Sequence, residues 1–200
     1  GGGSGLKGQG GVVIRNGAKG NEVTRCMVGG TQGDAILISN TGDAQQPNRV
    51  WNNTIGLTRV WSAAGMTEVD WSDGRSGIRL EAGAHHNILD MNRINYEPTA
   101  VAITGTGTSY NRFRFNRIKN SKSTGILVTE GADFNSIDST LVFSSVQDGI
   151  VVDNADNTSL LTVVVRKSGK DGIVVRNGAD NTVIDSLTPP ATFIPTEDPM

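Results

Sequence analysis

The sequence is short of several residues that common protein classes require. Its 200 residues include only one cysteine, Cys26, and two histidines, His85 and His86, so neither an internal disulfide nor a zinc site is expected. Leucine and alanine, which favour helices, are also scarce, with 10 and 13 copies. These shortages argue against a disulfide framework, a structural zinc domain and a helical bundle.

Long runs of charge or of apolar residues are also missing. The formal net charge is −2 and the charges are scattered singly, so we expect no nucleic-acid partner. No apolar stretch approaches the roughly 18 residues that span a bilayer, so we expect no membrane insertion. The first residues are Gly-Gly-Gly-Ser-Gly and carry no secretion signal, which suggests a processed or truncated chain.

What the sequence has in excess is a repeat built from glycine, asparagine and β-branched residues. The phrase GVVIRNGA begins at Gly11 and returns as GIVVRNGA at Gly172, and variants begin at positions 35, 77, 100, 125 and 149. Successive phrases start 23–25 residues apart, except for a step of 42 residues between positions 35 and 77. This period is typical of a solenoid, and it is too short for helical repeats. Leucine-rich repeats need more leucine than is present.

We therefore predict an all-β fold, a single-stranded parallel β-helix of about seven to eight rungs spanning residues 11–188. Residues 1–10 form a glycine-rich N-terminal segment or linker in this interpretation. Residues 57–76 form a lateral loop or a degenerate rung. Residues 189–200 form a proline-rich tail that cannot make a rung, but could cap the rod or cover part of it.

The repeat predicts stacked columns of side chains. Alternation along the GIxV strand directs its first and third apolar residues inward. Each phrase is followed by an asparagine, and stacked amides predict a hydrogen-bonded ladder along one corner. These asparagines are Asn21, Asn48, Asn87, Asn111, Asn135, Asn157 and Asn181. Two residues later we expect a second inward column, interrupted at Ser159: Val23, Val50, Leu89, Phe113, Ile137 and Val183. Seven residues after the asparagines we expect a third: Val28, Ile55, Ile94, Ile118, Val142 and Val164.

The segments NILDMNRI, from Asn87, and NRFRFNRI, from Asn111, carry a family resemblance. They resemble the right-handed parallel β-helix repeat of the pectate-lyase-like superfamily, in particular its repeat-rich secreted bacterial members. The resemblance covers residues 11–188 and implies an extracellular or periplasmic protein, of a kind that often deals with polysaccharide. It implies no single activity, because the same rungs serve lyases, hydrolases, epimerases, adhesins and tailspikes.

Chemistry-bearing residues cluster around the segment 57–76. Trp51, Trp61 and Trp71 are the only tryptophans, and they fall within 21 residues of each other. Glu68, Asp70, Asp73, Arg59 and Arg75 accompany them, and His85 and His86 lie on the next turn. Two interpretations remain open: the tryptophans pack the segment onto the rod, or Trp51, Trp61, Trp71 and Arg75 contact a sugar.

Catalytic use of the same residues is the weaker hypothesis. A lyase would need a base and a carboxylate-bound Ca²⁺, for which Glu68, Asp70 and Asp73 are candidates without a specific motif. His85 and His86 could act as acid and base, although adjacent side chains usually diverge. The stacked Asp133, Asp156 and Asp180 fit backbone capping in a turn better than a hydrolase pair. We predict no metal site.

An apolar stripe suggests assembly. The middle residue of the GIxV strand should face outward, yet it is apolar in six of seven repeats, Arg79 being the exception. The stripe comprises Val13, Leu37, Ala102, Leu127, Val151 and Val174. A lateral partner, a covering segment or a homotrimer would bury it. We therefore favour an extracellular structural or adhesive module that self-associates or joins a larger assembly. The alternative is a polysaccharide lyase or glycoside hydrolase.

Overall fold

The computed structural model describes residues 10–62, 65–70, 72 and 74–185, and these residues contain 22 β-strands and no helix. The strands are, in chain order, β1 (Val12–Arg15), β2 (Glu22–Thr24), β3 (Met27–Val28), β4 (Ile36–Ser39), β5 (Arg49–Trp51), β6 (Thr54–Ile55), β7 (Leu57–Ser62), β8 (Gly65–Asp70), β9 (Ser76–Glu81), β10 (Ile88–Asp90), β11 (Arg93–Asn95), β12 (Thr99–Thr104), β13 (Arg112–Arg114), β14 (Arg117–Lys119), β15 (Ile126–Thr129), β16 (Ser136–Asp138), β17 (Leu141–Phe143), β18 (Ile150–Asp153), β19 (Ser159–Leu161), β20 (Val164–Arg166), β21 (Ile173–Arg176) and β22 (Val183–Asp185).

Three parallel sheets run along the rod and form its three sides. Sheet A contains β1, β4, β9, β12, β15, β18 and β21 in spatial order, and sheet B contains β2, β5, β10, β13, β16, β19 and β22. Sheet C contains β3, β6, β11, β14, β17 and β20. Each turn contributes one strand to each sheet, except that the last described turn adds none to sheet C. The fold is therefore a parallel β-solenoid of about seven turns, as predicted.

The GIxV strands of sheet A stack as the sequence predicts. Val12 pairs with Ile36 and Ile14 with Ile38, and the same register continues through β9, β12, β15, β18 and β21. Their inward side chains meet those of the other two sheets in one continuous apolar core. Phe113 is the largest side chain in that core that is fully buried. Burial of β-branched residues on a pleated surface therefore explains the sequence's preference for Val and Ile.

The predicted columns are wrong by one residue near the C-terminal end. Leu160, rather than Ser159, pairs with Ile137, so the second column is not interrupted and continues to Ile184 instead of Val183. In the third column Val165 replaces Val164 opposite Val142. Asn157 and Asn181 lie one residue before the position that the earlier asparagines occupy, so a count that begins at them falls one residue short.

The first asparagine ladder forms at this corner over five rungs. The side-chain amide of each asparagine donates to the side-chain oxygen of the next, at 2.9–3.1 Å. The members are Asn21, Asn48, Asn87, Asn111 and Asn135. Thr158 occupies the next position and is fully buried. We predicted that Asn157 and Asn181 belong to the ladder, but they lie one residue before the ladder position. Both have φ near 55° there. Asparagine tolerates that left-handed conformation, so its presence alone does not distinguish the two positions.

A second ladder lies at the corner between sheets B and C and was not predicted. Asn53 donates to Asn92 at 3.0 Å, and Asn92 donates to Asn116 at 3.1 Å. Each amide also donates to a main-chain carbonyl on the sheet B strand of the preceding rung, as Asn92 does to Val50. The second asparagine of each NxIxxNxI segment is the ladder residue. Its regular spacing in the sequence could have revealed this second ladder.

The segment 57–76 contains an antiparallel hairpin that projects from the regular rungs. Strands β7 and β8 pair only with each other, from Leu57 opposite Asp70 to Ser62 opposite Gly65. The hairpin follows β6 of sheet C and precedes β9 of sheet A, so it leaves the rod at the corner between these two sheets. This insertion accounts for the long step in the repeat.

Asn111→Ala should lower the free energy of unfolding by about 3 kcal/mol or more, because it leaves several buried groups without hydrogen-bond partners. The Asn111 side chain accepts from the main chain and side chain of Asn87 and donates to Ala84 and Asn135, all at 2.9–3.0 Å. Urea unfolding would measure the change. Thr158→Ala is the matched control in the same column, because its hydroxyl has no hydrogen-bond partner among the described residues. Equal losses for the two variants would contradict the ladder's role.

Candidate functional site

The outer surface of sheet B gathers more chemistry-bearing side chains than the sequence suggests. The inner strands of the sheet, from β5 to β19, bury the middle residue and turn the flanking two residues outward. The outward residues form two columns that we call the sheet B face. The first column is Glu22, Arg49, Ile88, Arg112, Ser136, Ser159 and Val183. The second is Thr24, Trp51, Asp90, Arg114, Asp138, Leu161 and Asp185.

A shallow depression surrounds Trp51 on this face. Its volume is about 250 Å³, and its lining residues are Glu22, Arg49, Trp51, Ile88, Asp90 and Met91. The indole Nε1 of Trp51 donates a hydrogen bond to the Glu22 carboxylate. The guanidinium of Arg25 lies over the indole ring, 5.8 Å from its centroid. The half-buried indole is therefore held in place from two directions.

An ion pair between Asp90, which lines the depression, and Arg114 on the following rung lies at its edge. Arg114 donates to the Asp90 carboxylate at 2.8 Å, and Asp90 is buried with only 8% of its surface exposed. The hydrogen bond to Asp90 and the charge of its carboxylate raise the pKa of Arg114, so the guanidinium is held in its charged form. The same guanidinium lies 5.8 Å from the centroid of the Phe115 ring.

Exposed apolar side chains border the sheet B face on both sides. Met91 and Phe115, on the corner towards sheet C, are 53% and 46% exposed. On the corner towards sheet A, His86 stacks on Tyr110 and Tyr110 on Phe134, with ring centroids 5.1 and 5.2 Å apart. Because these three rings stack along the rod axis, they present their edges to solvent. Such borders of exposed aromatic residues are typical of binding surfaces.

The two histidines are engaged with each other. Their Nδ1 atoms lie 2.9 Å apart, so one ring donates to the other, and the rings meet edge to face at 87°. His86 has a positive φ of 56° at the corner position that Tyr110 and Phe134 occupy on later rungs. The pair therefore forms one end of the aromatic stack.

Asp70 anchors the base of the hairpin to the rod. Its carboxylate lies 3.0 Å from Lys122 Nζ and accepts hydrogen bonds from the main chain and hydroxyl of Ser72. Lys122 also donates to the Ser72 carbonyl at 3.1 Å, and the Ser72 hydroxyl donates to the Tyr96 carbonyl at 2.6 Å. Burial raises the pKa of Asp70, but the hydrogen bonds from Ser72 and Lys122 outweigh it and hold the pKa below its ordinary value.

The remaining candidates of the segment lie in different places. Trp71 and Asp73 fall outside the described residues, as do the side chains of Arg59, Trp61 and Glu68. Arg75 is exposed, and its main-chain N–H donates to the Gly33 carbonyl. The three-sided cross-section therefore separates three groups. Trp51 ends a sheet B strand, the histidines lie before the start of the next one, and the hairpin leaves at the corner between sheets C and A.

The neighbours of Trp51 escaped the sequence prediction. Glu22 and Asp90 lie 29 residues before and 39 residues after Trp51, but the parallel register places the Thr24, Trp51 and Asp90 positions side by side. Aligning the rungs on the first asparagine ladder and comparing the third residue after each asparagine would have placed Thr24, Trp51 and Asp90 in one column.

The apolar stripe on sheet A is stacked in register, but its members differ in exposure. Val13 is 46% exposed, whereas Leu37, Leu127 and Val174 are half-buried. Val151 is only 2% exposed, although it does not belong to the apolar core. Its role as an interface stays a prediction.

The stacked aspartates serve the turns. Asp133 accepts the main-chain N–H of Asp156 at 2.7 Å, and Asp156 accepts that of Asp180 at 2.8 Å. This confirms their interpretation as backbone caps. Among the residues that the structure describes, no group of three or more His, Cys, Asp or Glu could hold a metal ion. The expectation of no metal site stays a prediction, and Ca²⁺ belongs only to the lyase alternative. No helix long and apolar enough to cross a membrane occurs in the described ranges.

Comparison with known proteins identifies the repeat over nearly its whole length. A family model for the right-handed β-helix region matches residues 7–188. Neither a curated protein nor a solved structure matches the chain.

Lys122→Met should loosen the hairpin and leave the rod intact, because it removes the ion pair with Asp70 and the hydrogen bond to Ser72. We expect several-fold faster hydrogen exchange in β7 and β8 and unchanged exchange in β12 and β15. Lys19→Met, which removes a remote exposed pair with Asp43 at 3.0 Å, is the control and should leave the hairpin unaffected.

The same contact should weaken in acid. Because the folded-state pKa of Asp70 is lowered, its contribution is present above the ordinary value of 3.8 and is lost as pH falls through the folded-state pKa. Hairpin exchange, corrected for its intrinsic pH dependence, should therefore rise in that range in the wild type. In Lys122→Met the rise should be smaller. An equal rise in both would argue against the pair.

Proposed function

The chain belongs to the right-handed β-helix family, and from that premise we propose that it is a non-catalytic extracellular module, structural or adhesive in role. In this proposal the rod presents the sheet B face to a glycan and the sheet A stripe to further copies or to a neighbouring domain. The extracellular setting is part of the proposal and draws on the secreted proteins that the repeat resembles.

The depression around Trp51 is the observation that carries the glycan proposal. An aromatic ring offers an apolar surface to the C–H groups of a sugar, while nearby charged groups hydrogen-bond its hydroxyls. Trp51 supplies the ring, and Glu22, Arg49 and Asp90 line the same depression. A pocket of about 250 Å³ with this lining suits one or two sugar units of a longer chain better than a deeply buried ligand.

The rigidity of the rod supports a binding role. Trp51 stands on a strand that pairs on both sides, with β2 and β10. Its indole is held by Glu22 and Arg25 before any ligand arrives. A preorganised side chain loses little conformational entropy on binding, so a shallow contact can still give useful affinity. Repeated weak contacts along a polymer would increase the overall affinity further.

The alternative is a glycoside hydrolase or polysaccharide lyase acting at the same face. Two carboxylates, Glu22 and Asp90, line one depression, which is the observation in its favour. However, Asp90 is paired with Arg114 and Glu22 accepts a hydrogen bond from Trp51, so both carboxylates are already engaged within the protein. A hydrolase needs two carboxyl groups that are available to the glycosidic bond and to water. We therefore prefer binding without turnover.

Trp51→Ala should weaken binding to a responsive polysaccharide at least tenfold, as expected of a central aromatic contact, roughly the effect of a hot spot. Affinity electrophoresis against neutral and acidic polysaccharides would identify the polymer and measure the change. Phe143→Ala, a comparable truncation on the outer side of sheet C, is the control and should bind like the wild type. Unchanged binding in Trp51→Ala would contradict the site.

Mixtures of the protein with the same polysaccharides should also be assayed for new reducing ends and for unsaturated products. Turnover that disappears in Glu22→Gln or Asp90→Asn would instead establish the enzyme alternative.

Leu37→Asp combined with Leu127→Asp should dissociate an assembly formed through the stripe, because the contact would have to bury two carboxylates. Leu127 has only the apolar Ala102 and Val151 beside it in the sheet. Size-exclusion chromatography with light scattering would report the mass. Ser39→Asp is the control on the same strand, at the polar outward position, and should keep the assembly. A wild-type chain that stays monomeric at high concentration would contradict self-association while leaving glycan binding open to its own test.

A further inference from the structure

Two copies of one tetrapeptide occupy equivalent corners of the rod. Arg15-Asn16-Gly17-Ala18 begins at the last residue of β1, and Arg176-Asn177-Gly178-Ala179 begins at the last residue of β21. These hold the only two Asn-Gly pairs of the sequence. The asparagines have φ of 57° and 55°, and the glycines 75° and 74°. All four residues are exposed. Neighbouring sequence and backbone conformation are therefore the same at both corners.

The two pairs differ in how the glycine N–H is used. The Gly17 N–H donates to the Asn40 carbonyl of the next rung at 2.9 Å. The equivalent N–H of Gly131 likewise donates to Asn154, at 2.7 Å. Gly178 belongs to the last rung that the structure describes, and its N–H has no hydrogen-bond partner among the described residues.

This N–H is the nucleophile in asparagine deamidation. The glycine nitrogen loses its proton and attacks the side-chain carbonyl carbon of the preceding asparagine. A new N–C bond closes a five-membered succinimide ring, and the C–N bond to the amide nitrogen breaks, releasing ammonia. Water then opens the ring at either carbonyl to give aspartate or isoaspartate. A glycine at the second position favours ring closure because it carries no Cβ.

We propose that Asn177 is a site of spontaneous deamidation and that Asn16 is protected from it by the bond between Gly17 and Asn40. A nitrogen that donates to a carbonyl inside the rung stack must first break that bond before it can attack. No described residue accepts a hydrogen bond from the Gly178 nitrogen, so the Asn177 side chain need only leave its exposed bond to Asp153. Deamidation is therefore faster at Asn177, on the last described rung, than at Asn16.

The modification would alter the contact between the last two rungs. The Asn177 amide donates to Asp153 Oδ1 at 2.7 Å, and Arg176 holds the other carboxylate oxygen at 2.8 Å. Conversion of Asn177 to an acid replaces this donor with a second negative charge beside Asp153. Repulsion between the two carboxylates should loosen β21 from β18.

The experiment follows both sites in the same molecule. The folded chain is incubated in mildly alkaline buffer, and peptide mass spectrometry quantifies the acid forms of Asn16 and Asn177 over time. A protease other than trypsin is needed, because trypsin cleaves directly before both asparagines. We expect Asn177 to react about fivefold faster than Asn16, the factor that one net backbone hydrogen bond provides.

Two controls make the result decisive. In denaturant the rates at the two sites should converge, since the flanking residues are the same. Asn177→Ser should abolish the C-terminal signal and leave the rate at Asn16 unchanged. Equal rates in the folded chain, or an Asn177 that persists while the denatured chain reacts at both sites, would overturn the proposal.

Discussion

The hydrogen bonds between successive rungs are the interaction on which the rest of the structure depends. Strands of three or four residues are too short to be stable alone, so each one relies on parallel neighbours about 4.8 Å away on both sides. The asparagine ladders follow the same spacing. Asn87, for example, receives a bond from one rung and passes another to the next, and it is fully buried. An amide can be buried at this position only because the neighbouring rungs satisfy it.

This dependence divides each rung into constrained and free positions. Inward residues must fill the core, and the ladder positions must hydrogen-bond along the rod, so both tolerate little change. Outward residues have neither constraint, so the side chains that could bind a ligand lie at these outward positions. The depression around Trp51 draws its lining from β2, β5 and β10 and from the corner residue Met91 after β10. The same logic explains why the corner residue with positive φ can be His86, Tyr110 or Phe134: its side chain points to solvent and meets only its stacked neighbours.

The fold could be predicted in detail because its period is visible in the residues. Spacing placed the strands of sheet A in their correct register and identified the five asparagines of the first ladder. Prediction failed at Leu160 and Val165 because the count began at Asn157, which lies one residue before the ladder position that Thr158 occupies. It also stopped at the insertion itself. Hydrophobic alternation in residues 57–76 is compatible with a rung as well as with a hairpin, and only the pairing of β7 with β8 distinguishes them.

The candidate site was predictable only in part, and for a physical reason. By itself, the sequence determined that the chain is a parallel β-solenoid and that Trp51 is an unusual residue near an irregular segment. Only the tertiary structure decided which residues surround it, since Glu22 and Asp90 reach the indole through the stacking of rungs and not through proximity along the chain. The same stacking distinguishes the two Arg-Asn-Gly-Ala corners, which are identical in sequence and backbone conformation. The Gly17 N–H is paired with the next rung, whereas the Gly178 N–H has no partner among the described residues. In a solenoid such pairing is set by the neighbouring rung and not by the local sequence.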